Sequence, residues 1–293
     1  MFSAGAAAIG GCARHESIPW NALPAAKAAQ VTAACANGLL VFASDVSGTA
    51  VDIYSGTHRC GTIGGLLEPQ GLAVDSSGDL WIADTGASNV VEFQPPYTGK
   101  PVRTLNDPGF FPSDVALCRG YEAVTNITST SGGAGNVEIY SGRSTSPTST
   151  LADPNSASEL FDTCDPSGDL FTSYLTGSGT GAVNEWIGGK GKPKELSAIA
   201  PGFPGGLEWE GAALWVDDQT ARTIGIWKPP FSTVSTVIAL HGSGDPVTFA
   251  VSPSDSVILA GTPSSAIFYN LSGKQIGTIP GSGGAVAYSR DDR

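Results

Sequence analysis

The chain of 293 residues carries only 14% Asp, Glu, Lys and Arg, while 39 glycines and 20 prolines make up about a fifth of it, a balance that favours turns over long helices. A formal net charge of −12, with no cluster of Lys and Arg to offset it, repels a phosphate backbone and sets nucleic-acid binding aside. No run of 18 apolar residues is present to span a membrane, and the length suffices for one large β domain with a substantial core.

Residues 1–12, MFSAGAAAIGGC, are small and apolar up to Cys12. Ile9-Gly10-Gly11-Cys12 resembles the lipobox of bacterial lipoproteins, in which cleavage before the cysteine leaves that residue to carry acyl chains. The resemblance implies lipidation at Cys12, a place at the cell envelope outside the cytoplasm, and contact with the membrane only through that anchor. A full signal peptide has a positively charged start and a longer apolar stretch, so residues 1–12 read as a truncated signal segment whose reading frame begins further upstream. Residues 13–37 form a leader or linker, with one or two helical turns expected in PAAKAAQVTAAC (24–35).

From residue 38 the chain repeats itself. The pattern of a small or β-branched residue three positions before an aromatic recurs as VDIY (51–54), VVEF (90–93), VEIY (137–140), VNEW (183–186), IGIW (224–227) and AIFY (266–269). The six aromatics, Tyr54, Phe93, Tyr140, Trp186, Trp227 and Tyr269, lie 39, 47, 46, 41 and 42 residues apart, the period of a four-stranded propeller blade. Each copy follows a partner strand such as LWIAD (80–84) or LWVDD (214–218) and precedes a shorter one such as VRTL (102–105), after a turn rich in Gly and Pro. The aromatics therefore read as packing between blades rather than as ligand contacts.

A further strand opens each blade: residues 71–79, 114–122, 160–169, 206–211 and 248–255. The sixth, GAVAYSRDD (284–292), stands at the carboxyl end, and its continuation is GLLVFASD from Gly38. This predicts an all-β, monomeric, six-bladed β-propeller over 38–293, with four-stranded antiparallel blades, closed when the C-terminal strand joins the N-terminal blade and satisfies both open edges. QVTAACA (30–36) is the rival for that sixth place.

LEPQGLAVDSSGDLWIADTGASNVVEF (67–93) resembles an NHL repeat: Pro69, Gly71, Asp75, Gly78, Trp81, Asp84, Gly86 and Phe93 fall on that family's pattern, which departs at Ala87-Ser88-Asn89. One blade matches closely and the others in outline. Asp75 and Asp165 each begin a tight turn in which a carboxylate accepts backbone N–H groups and Gly78 or Gly168 takes a positive φ, so these acids, and Asp84, read as structural.

The gluconolactonase and regucalcin-like propellers, similar in fold, hold a divalent metal in the central channel through Glu, Asn and Asp. Residues placed to face such a channel or its mouth here are Glu68, Asp114, Asp162, Glu208 and Glu210. Their oxygens suit Ca²⁺ or Mg²⁺, yet no motif of that metal site can be laid on these positions, and a water-filled channel also carries polar residues. No resident cofactor is expected, with Ca²⁺ the one candidate. His15, His58 and His241 are too dispersed for ligand spacing, and no G-x-S-x-G elbow supplies a nucleophile.

Setting Cys12 aside leaves Cys35, Cys60, Cys118 and Cys164, an even number whose spacings of 25, 58 and 46 do not suit zinc. Cys118 and Cys164 end opening strands of neighbouring blades, and Cys35 and Cys60 flank the first blade at one end, so disulfides Cys118–Cys164 and Cys35–Cys60 are expected. The reading is a binding or scaffolding propeller for a protein, peptide or carbohydrate ligand; the alternative is a metal-dependent hydrolase or lactonase using Asp162 and Glu208.

Overall fold

The computed structural model describes Cys35 and residues 38–44, 48–242, 244–254 and 256–289. Cys12 and the helical turns expected in the leader, apart from Cys35, lie outside the described residues. The first blade begins with β1 (Leu40–Ser44), β2 (Ala50–Ser55) and β3 (His58–Gly64). The second is β4 (Pro69–Val74), β5 (Leu80–Asp84), β6 (Asn89–Phe93) and β7 (Arg103–Asn106), and the third β8 (Phe110–Cys118), β9 (Tyr121–Ser129), β10 (Val137–Ser141) and β11 (Ser149–Leu151). The fourth is β12 (Ser156–Cys164), β13 (Leu170–Thr176), β14 (Gly181–Trp186) and β15 (Lys194–Glu195). The fifth is β16 (Pro204–Glu210), β17 (Ala213–Asp218), β18 (Thr223–Trp227) and β19 (Val234–Ala239). The sixth is β20 (Thr248–Val251), β21 (Val257–Thr262), β22 (Ser265–Asn270) and β23 (Gln275–Pro280), after which β24 (Val286–Tyr288) completes the first.

Six four-stranded antiparallel sheets result. β24 pairs with β1 through Val41↔Tyr288, Phe42↔Ala287 and Ala43↔Val286, while β2 takes the other edge of β1. A strand has two edges, and both of those of β1 are thereby taken. The seam is reinforced where the backbone N–H of Leu40 donates to Ser289 Oγ at 2.7 Å and that of Ala285 to Ser44 Oγ at 3.0 Å.

The core is divided into six slabs, one between each pair of neighbouring blades. Each repeating aromatic packs toward the preceding blade: Phe93 lies in the slab with Phe42 and Ile53, Tyr140 with Trp81 and Val90, Trp186 with Val137 and Ile139. Five of the six are buried; Trp227 is half-buried. Period-2 alternation in the middle strands sends one set of side chains to each neighbour, which is why nearly every position there is apolar or small.

The turn chemistry follows the residues. Asp75 Oδ1 accepts the backbone N–H of Ser77 at 2.7 Å and of Asp79 at 2.9 Å, with Gly78 at φ 84°; Asp165 Oδ1 accepts that of Asp169 at 2.8 Å, with Gly168 at φ 91°. Asp84 Oδ1 accepts the N–H of Leu67 at 2.6 Å, tying the start of β4 to the end of β5.

The inner strands β4, β8, β12 and β16 begin two to four residues before the apolar runs that mark them in the sequence. Pro, Ser and Gly are frequent among the extra residues, which sit at register shifts: between Pro69 and Leu72, Phe110 and Asp114, Ser156 and Phe161, and Pro204 and Leu207. Bulges accommodate these residue types, so strand pairing continues through what reads as a turn.

Candidate functional site

The inner strands enclose an axial channel of about 540 Å³. All of them begin at one end, the mouth, and stop at the other, the floor. Antiparallel pairing places the β9–β10 and β13–β14 loops at the mouth. These loops are pinned, the first by Thr130 N–H to Gly109 O at 2.8 Å and Gly133 N–H to Ser129 Oγ at 2.7 Å, the second by Thr176 N–H to Thr180 O at 2.9 Å.

Asp114, Asp162, Glu208 and Glu210 all line the channel; Glu68 does not. Glu68 is exposed beyond the mouth end of β4, at φ 56°. The register places the four lining acids at different heights. Tyr140, Trp186 and Trp227 pair with Glu122, Leu170 and Leu214, which mark one level around the ring. Asp114 pairs with Thr125, three residues above that level; Asp162 with Thr172, two above; Glu208 with Trp215, one above; Glu210 with Ala213, one below. At roughly 3.3 Å per residue the four steps from Asp114 to Glu210 descend about 13 Å while turning through blades three, four and five.

Each carboxylate is held differently. Asp114 accepts the backbone N–H of Val115 at 3.0 Å and, across the blade boundary, that of Asp162 at 3.3 Å. Gly71 makes room for it, since a Cβ there would collide with the Asp114 side chain and backbone. Asp162 is only 4% exposed. Burial raises the pKa of both; for Asp162 the neighbouring Asp114 charge raises it further, whereas backbone donors work in the opposite direction at each, those of Val115 and Asp162 at Asp114 and those of Thr125 and Ala116 at Asp162. Glu208 Oε2 accepts the N–H of Val251 at 2.8 Å, and Glu210 Oε1 that of Gly211 at 3.0 Å. Burial, and then the Glu208 charge, push the Tyr288 phenol upward. Trp209, between the two glutamates, stacks on Phe171 with centroids 5.4 Å apart.

Among the described residues no group of three or more His, Cys, Asp and Glu side chains is placed to hold a metal ion, and no helix is long and apolar enough to cross a membrane. Cys118 is bonded to Cys164 and Cys35 to Cys60, with Cα atoms 5.4 and 5.5 Å apart. The first bond joins the last residues of β8 and β12; the second ties the segment before β1 to the start of β3, so both lie toward the floor.

Several buried acids escape notice in the sequence. Glu159 and Asp217 are wholly enclosed and Asp107 nearly so, and neither carboxylate oxygen of Asp217 has a hydrogen-bond partner. Burial pushes Glu159 and Asp107 up to about 7 and Asp217 well above the usual range, the neighbouring Asp218 charge adding to the effect on Asp217. A signal was present for one of them: Leu105-Asn106-Asp107-Pro108 is repeated as Leu151-Ala152-Asp153-Pro154, where Asp153 Oδ2 accepts a hydrogen bond from Asn184 at 2.8 Å.

The family description "NHL repeat" matches residues 66–93, which span the second blade from just before β4 to the end of β6. No curated protein sequence matches the chain. Among solved structures it resembles a chain in the crystal structure of a nidogen/laminin complex, with a TM-score of 0.68 and 14% identity over 86% of this chain and 99% of that one. It also resembles a luciferin-regenerating enzyme, with a TM-score of 0.56 and 14% identity over 85% of this chain and 83% of that one. At such identities the likeness concerns the fold: the chain is a six-bladed β-propeller carrying an NHL repeat in its second blade.

Proposed function

We propose that the protein is an extracytoplasmic binding or scaffolding module whose ligand, a protein, peptide or carbohydrate, engages the mouth of the channel. The observation that carries this reading is the placement of the channel acids: they lie at four different heights along the wall and accept backbone N–H groups, instead of converging on one reacting point. The propeller of the nidogen/laminin complex, a binding assembly, supports it as a precedent for the fold. Two disulfides suit an oxidising compartment, and tethering through Cys12 belongs to the same proposal. Metabolic labelling with a fatty acid, lost in Cys12→Ala, is the expected outcome; labelling retained in that variant rejects the tether.

Peptide and glycan arrays test the binding itself. Saturable binding is expected, and it should be lost when residues 130–135 are replaced by a Gly/Ser stretch of equal length. Turnover of a lactone or ester with no saturable binding would reverse the assignment.

The second reading, a metal-dependent hydrolase or lactonase, is favoured by the Asp114–Asp162 pair, which holds a proton near neutral pH inside a channel, and by the likeness to an enzyme. It requires Ca²⁺ to raise the melting temperature through Asp162 and Glu208 and Glu208→Ala to abolish that rise. Absence of any shift leaves the binding module.

A further inference from the structure

Lys and Arg are scattered along the sequence, yet the fold gathers them at one end. Among the described residues every Lys and Arg but Arg222 lies in or beside a turn at the floor, and Arg222, at the mouth, is paired with Asp245 at 2.7 Å. The cause is topological: with each inner strand running from mouth to floor, antiparallel pairing returns the turn between the third and fourth strands of a blade to the floor. Gly188 N–H accordingly donates to Asp169 Oδ1 at 2.7 Å and Tyr97 O–H to Gly78 O at 2.8 Å, the acceptors lying in the turns that follow β12 and β4.

These outer turns share a composition. Residues 94–102, 142–148, 187–193, 228–233 and 271–274 contain no Asp or Glu and carry Lys100, Arg143, Lys190, Lys192, Lys228 and Lys274, all exposed and none ion-paired among the described residues. The same turns expose large apolar side chains beside the cations: Val102 near Lys100, Ile187 near Lys190 and Leu271 near Lys274. The acids of the inner floor turns are engaged within the fold, Asp75 and Asp165 by backbone N–H groups of their own turns, Asp79 by Gln94 at 3.1 Å and Asp169 by Gly188.

Cations interleaved with exposed aliphatic groups match a bilayer whose anionic headgroups meet the charges while the aliphatic tips enter the headgroup layer. A nucleic acid would take the charges and leave the aliphatic groups in water. The path of the chain agrees: the Cys35–Cys60 bond fixes the segment before β1 at this end, so an anchor on the preceding residues would draw the floor, not the mouth, to a membrane.

We propose that the outer turns of the floor form a docking face for an anionic phospholipid bilayer, with the mouth turned away toward soluble ligands. The inference goes beyond the binding reading, and the face does not require the Cys12 tether.

Cosedimentation of the full chain carrying Cys12→Ala, which removes any acyl anchor, tests it with vesicles of phosphatidylcholine containing about 30% phosphatidylglycerol in about 0.1 M KCl. A net charge of −12 by itself keeps the chain off such vesicles, so sedimentation reports the local face. Binding is expected here and not with phosphatidylcholine alone. It should weaken about fivefold in Lys100→Gln and in Lys274→Gln, further when Lys190→Gln and Lys192→Gln are combined, and stay unchanged in Arg222→Gln at the mouth. Ile187→Ser and Leu271→Ser should each weaken it as well. All these side chains are exposed, so the fold tolerates the changes. No cosedimentation, equal cosedimentation with neutral vesicles, or an equal loss in Arg222→Gln overturns the proposal. Binding unchanged in both Ser variants reassigns the face to a soluble polyanion and rejects the bilayer. Saturable array binding at the mouth alongside any of these failures leaves the earlier reading intact.

Discussion

Glu159 is wholly enclosed among the strands of the fourth blade, so its charge is cut off from solvent. Its pKa rises from 4.5 to about 7 through burial, with Asp153 adding repulsion and the Ser156 and Thr172 hydroxyls working against it. The sign of the consequence is fixed by linkage. Between those two values the folded chain keeps a proton that the unfolded chain releases, so stability is fully present below about pH 4.5 and is lost as pH rises through about 7. Asp107, Asp162 and Asp217 shift in the same direction. Thermal melts should therefore give a higher melting temperature at pH 5 than at pH 8, and Glu159→Gln, which cannot ionise, should narrow that gap by up to roughly 3 kcal/mol of unfolding free energy. A wild-type chain more stable at pH 8 would contradict the enclosure of these acids.

Trp186 shows what one strand contributes at the scale of an element. It ends β14, is wholly buried against β10 of the third blade, and donates from Nε1 to Thr172 Oγ1 at 3.2 Å. Trp186→Ala is expected to cost about 3 to 5 kcal/mol in urea unfolding, and Trp227→Ala distinctly less, since its half-buried ring already meets solvent. Equal losses would deny the difference in burial. The repeat of such aromatics made the blade count readable in the sequence, because inter-blade slabs demand a large apolar group at one fixed position per blade. The inner strands were less legible: Pro112-Ser113 and Pro204-Gly205 read as turn residues, yet bulges carry the pairing through them. Asp114, Asp162, Glu208 and Glu210 could be placed on the channel from their positions in the opening strands, whereas Glu68 could not be kept outside it, because its left-handed backbone is not encoded by its residue type. Glu159 and Asp217 left no trace, since a buried acid and an exposed one look alike in a strand of mixed polarity.

For the whole molecule the seam between β24 and β1 is decisive. Removing residues 284–293 strips β1 of the three pairs it makes with β24 and opens the slab between the sixth and first blades, where Val286 and Tyr288 pack against Val41 and Leu259. The truncated chain is expected to lose its single cooperative transition and to associate through the bare edge of β1, which size-exclusion chromatography and urea unfolding would register. A monomeric fragment with an unchanged midpoint would show that the ring does not depend on its clasp. Both covalent cross-links lie toward the floor, and blades three and four are riveted there at Cys118–Cys164. The cross-linking is thus one-sided, like a collet tightened at its base: two neighbouring blades are joined covalently at the floor, while the opposite rim, free of cystines among the described residues, is held by noncovalent packing.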